Sequence, residues 1–182
     1  MLKEKTNKIR LMISIFITTN ITLNAYSGSV SCEQDSSGNA VMVWQFFNSS
    51  SDNFEIRAAT FNSLTKVWSN PVLISDSDHN CLNPIVVVSS GGRANAIWCA
   101  IDNQTGDKSI QAAYRPAGGN WTSSTQITDV NEKFYNDYKE TISDGLDNTC
   151  IVTWVSYING QTAVRTCYGV AGSFTAPTTI SN

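Results

Sequence analysis

The densest run of groups able to do chemistry is Asp76-Ser77-Asp78-His79-Asn80, five consecutive side chains that each offer oxygen or nitrogen. It begins like a calcium loop. Cys81, however, stands where the sharp turn needs glycine, and Val87 stands where a bidentate glutamate should close the shell, so an EF-hand is excluded. A looser calcium contact stays open beside a plainer reading, in which short polar residues make a solvated turn. No other cofactor is expected. His79 is the only histidine, so neither a zinc site nor a Ser-His-Asp triad can be built around a second one, and it is expected at the surface. Glu132, Tyr135 and Tyr138 form a second polar and aromatic group, and with Trp121 they could line a sugar site.

Strands must carry these groups. Aromatic residues, Ser, Thr, Asn and Gly are plentiful, and the chain is 41% hydrophobic with only 15% charged residues, which argues for a folded, strand-rich protein. Three runs end in tryptophan: Asn39 to Trp44, Ala94 to Trp98 and Cys150 to Trp154. Each is followed by a third-strand segment, Ile56-Arg57-Ala58-Ala59, Ile110-Gln111-Ala112-Ala113 and Val164-Arg165-Thr166. A second aromatic then recurs at Trp68, Trp121 and Phe174, and six residues beyond each stands Ile74, Ile127 or Ile180. An even spacing places aromatic and isoleucine on one face of a single strand. Pro71 and Pro177 lie between them, as suits an edge strand. In the second copy the expected strands are Pro84 to Val88, Ala94 to Ala100, Ser109 to Tyr114 and Trp121 to Thr128. Continuous apolar runs such as Ala40 to Trp44 predict inner strands covered on both faces.

The chain is therefore expected to be all-β and β-propeller-like, with three four-stranded antiparallel blades at about 28–83, 84–139 and 140–182. The recurring Ala-Val-x-x-Trp, Ile-x-Ala-Ala and aromatic-to-Ile-Ser elements, over about Val30 to Ser181, resemble the blades of sialidase-like and Asp-box propeller proteins. Of the Asp-box only the aromatic is present, at Trp68, Trp121 and Phe174, so the resemblance implies the blade architecture and leaves activity open. A sialidase-like site would gather several arginines. The four after residue 27 are Arg57, Arg93, Arg115 and Arg165, and Arg57 and Arg165 share one repeat frame, as blade structure alone would produce. Trp44, Trp98 and Trp154 are expected in the blade core. Propellers close with about four to eight blades, so either the chain is a piece of a longer propeller or copies self-associate to complete a ring.

Residues 1–27 read as a secretory signal: Lys3, Lys5, Lys8 and Arg10, a mostly apolar stretch from Leu11 to Leu23, then Ala25-Tyr26-Ser27, with cleavage expected before Gly28. The apolar stretch is short and interrupted by Thr18, Thr19 and Asn20, so a membrane span of about 20 residues is not expected. Removal takes four of twelve basic and one of fifteen acidic side chains, leaving eight against fourteen. The remaining basic residues are scattered, which makes nucleic acid an unexpected partner. The five cysteines, Cys32, Cys81, Cys99, Cys150 and Cys167, are odd in number and occupy five different repeat frames, so no connectivity follows. Two functions fit an exported chain of this kind. One is a non-catalytic binding or scaffold module using the loops at 48–53, 76–83, 102–107 and 129–139; the other is a glycan-directed lectin or remnant sialidase-like hydrolase.

Overall fold

The computed structural model describes residues 28–129, 132, 140–144, 149–158 and 160–181. Residues 1–27, Tyr135 and Tyr138 lie outside these residues. Three antiparallel meanders follow one another along the chain. The first contains β1 (Val30–Gln34), β2 (Ala40–Asn48), β3 (Asn53–Asn62) and a fourth strand in two pieces, β4 (Val67–Trp68) and β5 (Val72–Leu73), both paired with β3. The second contains β6 (His79–Val88), β7 (Ala94–Asp102), β8 (Lys108–Arg115) and β9 (Thr125–Gln126) in sequence order. The third contains β10 (Glu140–Asp144), β11 (Thr149–Ile158), β12 (Gln161–Val170), β13 (Ser173–Phe174) and β14 (Thr178–Thr179), the last two both on β12. This is the three-bladed, all-β partial propeller that the repeat predicts.

Two cores hold the blades face to face. Val41, Val43, Ile56, Ala58 and Ile74 of the first sheet pack on Val86, Ala94, Ala96 and Trp98 of the second. Ile97, Ile110, Ala112 and Ile127 of the second pack on Ile142, Val152, Trp154 and Cys167 of the third. Trp98 and Trp154 thus each face the preceding blade, and both are buried. The middle sheet has partners on both sides, so β7 is buried continuously from Ala94 to Ala100. In β11, by contrast, burial alternates, because the far face of the third sheet meets no further blade.

Serine and threonine hydroxyls hold the outer strand. The hydroxyls of Ser69, Thr122 and Thr175, each next to the second aromatic, accept the N–H of Thr60, Tyr114 and Tyr168 at 3.0, 3.1 and 3.1 Å. Those of Ser75, Thr128 and Ser181, each next to the isoleucine, accept the N–H of Ile56, Ile110 and Val164 at 3.0, 3.3 and 2.7 Å. Backbone bonds flank each clamp, Ile127 N–H to Ile110 C=O at 2.9 Å among them. Two clamps at a constant separation explain the unvarying six-residue spacing.

Three expectations are corrected. The first strand of the second blade begins at His79, not Pro84, and its register shifts between Leu82 and Ile85, where Asn83 takes φ 53° and Pro84 has no N–H to give the ladder. Trp121 to Thr128 is not a continuous strand, since only Thr125–Gln126 joins the ladder. The aromatic and the isoleucine also take opposite faces: Trp121 packs into the first core and Ile127 into the second, while Phe174 lies in the second core and Ile180 is 63% exposed. Residues between two separate clamps need not keep a strand's two-residue alternation.

Candidate functional site

Each blade ends in Ile-Ser or Ile-Thr, and the next residue in the first two is an aspartate that reaches the following blade. Asp76 accepts Gln111 Nε2 at 2.9 Å and the Ser124 hydroxyl. His79 Nδ1 lies 3.6 Å from Asp76 Oδ2 and, though buried, has no hydrogen-bond partner among the described residues. Gln111 in turn accepts the Trp98 indole N–H at 3.2 Å, so the blade tryptophan, the third-strand residue and the preceding blade's acid form one chain of hydrogen bonds.

The next seam repeats the design with stronger charges. Arg165, in the frame of Gln111, donates to Asp129 Oδ2 at 2.5 Å and to Pro177 C=O at 3.3 Å. Glu132 accepts the Trp154 indole N–H at 2.8 Å and the Asp129 N–H at 3.1 Å, and lies 3.9 Å from Arg165 Nε. Its side chain is only 3% exposed, so the ion pair holds an otherwise costly buried charge. In the first blade Arg57 has a partner in its own strand: it pairs with Glu55 at 3.1 Å and stacks 3.8 Å over the Phe46 ring.

The structure therefore brings Asp76 and His79 together but separates the other sequence-derived candidates. Asp78 is exposed, its carboxylate takes the Ser77 hydroxyl at 3.0 Å, and its carbonyl takes the Asn103 N–H at 3.4 Å. Asn80 accepts the Phe54 N–H at 2.9 Å, which ties β6 to β3. Trp121 is half-buried against the first core, toward the Tyr114 end of β8, and is not a free stacking platform. Glu132 sits at the second seam. On the same loop face, Asp102 accepts the N–H groups of Gln104 at 2.8 Å and Thr105 at 2.7 Å, and these bonds lower its carboxyl below the ordinary range. Among the described residues no three His, Cys, Asp or Glu side chains converge as metal ligands. Gln111 and Ser124 were not among the candidates read from sequence, Asp129 only as the start of a loop and Arg165 only as a residue of the repeat frame. The available signal was the aspartate shared by Ile74-Ser75-Asp76 and Ile127-Thr128-Asp129, set against the common frame of Arg57, Gln111 and Arg165.

No protein-family model matches the sequence, and no curated protein is similar to it. The solved structures that share the fold include the following two. An α-L-arabinofuranosidase of Fusarium graminearum aligns with TM-score 0.56 at 10% identity, over 85% of this chain and 49% of that one. An endo-arabinase of Bacteroides thetaiotaomicron aligns with TM-score 0.50 at 14% identity, over 87% of this chain and 63% of that one. The chain spans less than two thirds of the length of either.

Proposed function

We propose that the chain is an exported, non-catalytic binding module of propeller type whose ligand is a glycan. The carrying observation is the state of the seam carboxylates. Asp76, Asp129 and Glu132 are bonded to Gln111, Ser124, Arg165 and Trp154, side chains of the next blade. Hydrolysis of a glycosidic bond calls for two carboxyl groups free to serve as acid and as base or nucleophile across that bond. Acids that hold one blade to the next are suited to a scaffold. The two fold-mates both act on arabinose-containing carbohydrates by their names, which supports a sugar as ligand. On this reading Asp78, His79 and Asn103 meet sugar hydroxyls at the loop face, and the basic start and apolar stretch of residues 1–27 direct export.

The test is a glycan array probed with the purified chain, beside an assay for sugar release from the glycans bound. Binding without release is expected. His79→Ala, at a side chain that is 21% exposed, should weaken binding about tenfold with the circular dichroism spectrum unchanged. Absence of binding to every glycan removes the sugar ligand, and sugar release abolished by Asp76→Asn removes the non-catalytic assignment.

The free face of the third blade supports self-association as part of the same reading. Ile151 is 50% exposed, Tyr168 45% and Val170 40%. Corresponding faces of the first and second sheets are covered by the Trp98 and Trp154 sides of the blades that follow. A blade of a second copy would continue that stack.

A further inference from the structure

Antiparallel strands send successive turns to alternate ends of a blade, so the turns at 35–39, 89–93 and 116–120 lie opposite the loop face of Asp76 and His79. There the first two blades part to leave a cleft of about 310 Å³, at the small end of the range for ligand sites. Its walls are mixed: Val41 and Val88 are apolar, Asn39 and Asn62 are amides, and Arg115 and Asp35 are charged.

The two charges are not equivalent. Asp35 is held by its own turn, accepting the N–H of Ser37 at 2.8 Å, the N–H of Asn39 at 2.9 Å and the Asn39 amide at 2.8 Å. Arg115 is half-buried and makes no ion pair or side-chain hydrogen bond among the described residues, and loss of water lowers its pKa from the ordinary arginine value. A second guanidinium stands nearby. Arg93 Nε is buried with no hydrogen-bond partner among the described residues, and Arg93 Nη1 lies 3.8 Å from where a Cβ on the cleft residue Gly91 would be. Glu33, at the same seam, is held by the Val88 N–H at 3.0 Å, so the guanidinium of Arg115 is the charge on the cleft wall left without a protein partner among the described residues.

We propose that this cleft is a second binding site, which takes a small monoanionic, carboxylate-bearing ligand of sugar-acid size through the guanidinium of Arg115. The planar fork of arginine matches the two oxygens of a carboxylate. The Asp35 charge on the opposite wall disfavours a dianion such as phosphate. Val41 and Val88 suit the C–H face of a ring, and the Asn62 Nδ2, on an amide whose Oδ1 already holds the Leu64 and Thr65 N–H groups, suits a hydroxyl. The site is at the other end of the blades from the glycan-facing loops, so either can fail without the other.

Calorimetric titration with sodium glucuronate, glucose and inorganic phosphate at constant ionic strength tests it. Glucuronate should bind saturably, glucose and phosphate at least about tenfold more weakly, and Arg115→Gln should lose at least about tenfold in glucuronate affinity, as expected for one charge-assisted hydrogen-bonded pair. Ala117→Trp, which obstructs the cleft from an exposed position, should lose the same, and it decides the matter if Arg115→Gln proves unstable. No saturable heat with glucuronate, equal affinity in the variants, or tighter binding of phosphate would overturn the proposal.

Discussion

At the scale of single residues, this chain uses its polar groups chiefly to join blades, and its cysteines as core. None of the five forms a disulfide, and four are buried. Burial pushes Cys81 and Cys167 up to about 12 and Cys32 up to about 11, which leaves little thiolate to react at neutral pH. A thiol reagent at pH 8 should label the native chain slowly and the unfolded chain at all five positions. Fast native labelling of Cys81 or Cys167 would contradict their burial. The linkage has a defined sign: below about pH 9 folded and unfolded thiols are both protonated, and above it the unfolded thiols ionise first. Stability should therefore be flat below pH 9 and fall between 9 and 12 on their account, with a smaller fall in Cys167→Ala. The same scale shows how a residue's type misleads. Glu132 reads as a loop-face ligand group in the sequence, yet its side chain is buried, held by the Trp154 indole N–H and near Arg165, which is itself bonded to Asp129.

At the scale of the element, the fourth strand carries the instructive detail. Its sequence signature, an aromatic with an isoleucine six positions later, was legible, and so was the four-strand order. The hydroxyl next to each landmark was equally visible but has meaning only once the third strand lies alongside. Thr128 is buried and holds the N–H of buried Ile110, whereas Thr122 is exposed and holds that of Tyr114. Thr128→Val keeps the shape but orphans a buried donor, and should cost about 1–3 kcal/mol in urea unfolding. Thr122→Val should cost clearly less, because Thr122 stands at the exposed end of the clamp. Equal costs at the two positions would mean that the clamps do not act through hydrogen bonding. The bulge at Leu82 to Ile85 was hidden: Pro84 was read as the start of a strand, when it marks an irregularity inside one.

At the scale of the molecule, three sheets bury two seams and leave a third surface open. The exposed face of β11 and β12, with Ile151, Tyr157, Tyr168 and Val170, is larger in apolar content than an isolated surface residue explains. If a second copy covers it, sedimentation equilibrium of the purified chain should give a dimer or larger ring, and Tyr168→Glu should shift the population to monomer while the circular dichroism spectrum stays the same. A wild-type chain that sediments as a monomer at every concentration would refute this. The predicted loop face exists in part, because His79 and Asn80 belong to β6 and only the residues before them form a loop.

The order of residues determined by itself what depends on near neighbours: a strand-rich chain, three copies of one meander, tryptophans destined for the core, and a fourth strand at the edge. Periodicity and turn chemistry act over a few residues and can be read without coordinates. Tertiary packing alone decided which face each landmark takes, and that Asp76 would meet Gln111 and Asp129 would meet Arg165. Those pairs stand 35 and 36 positions apart. They are set by how one blade rotates onto the next, a quantity that no local spacing contains.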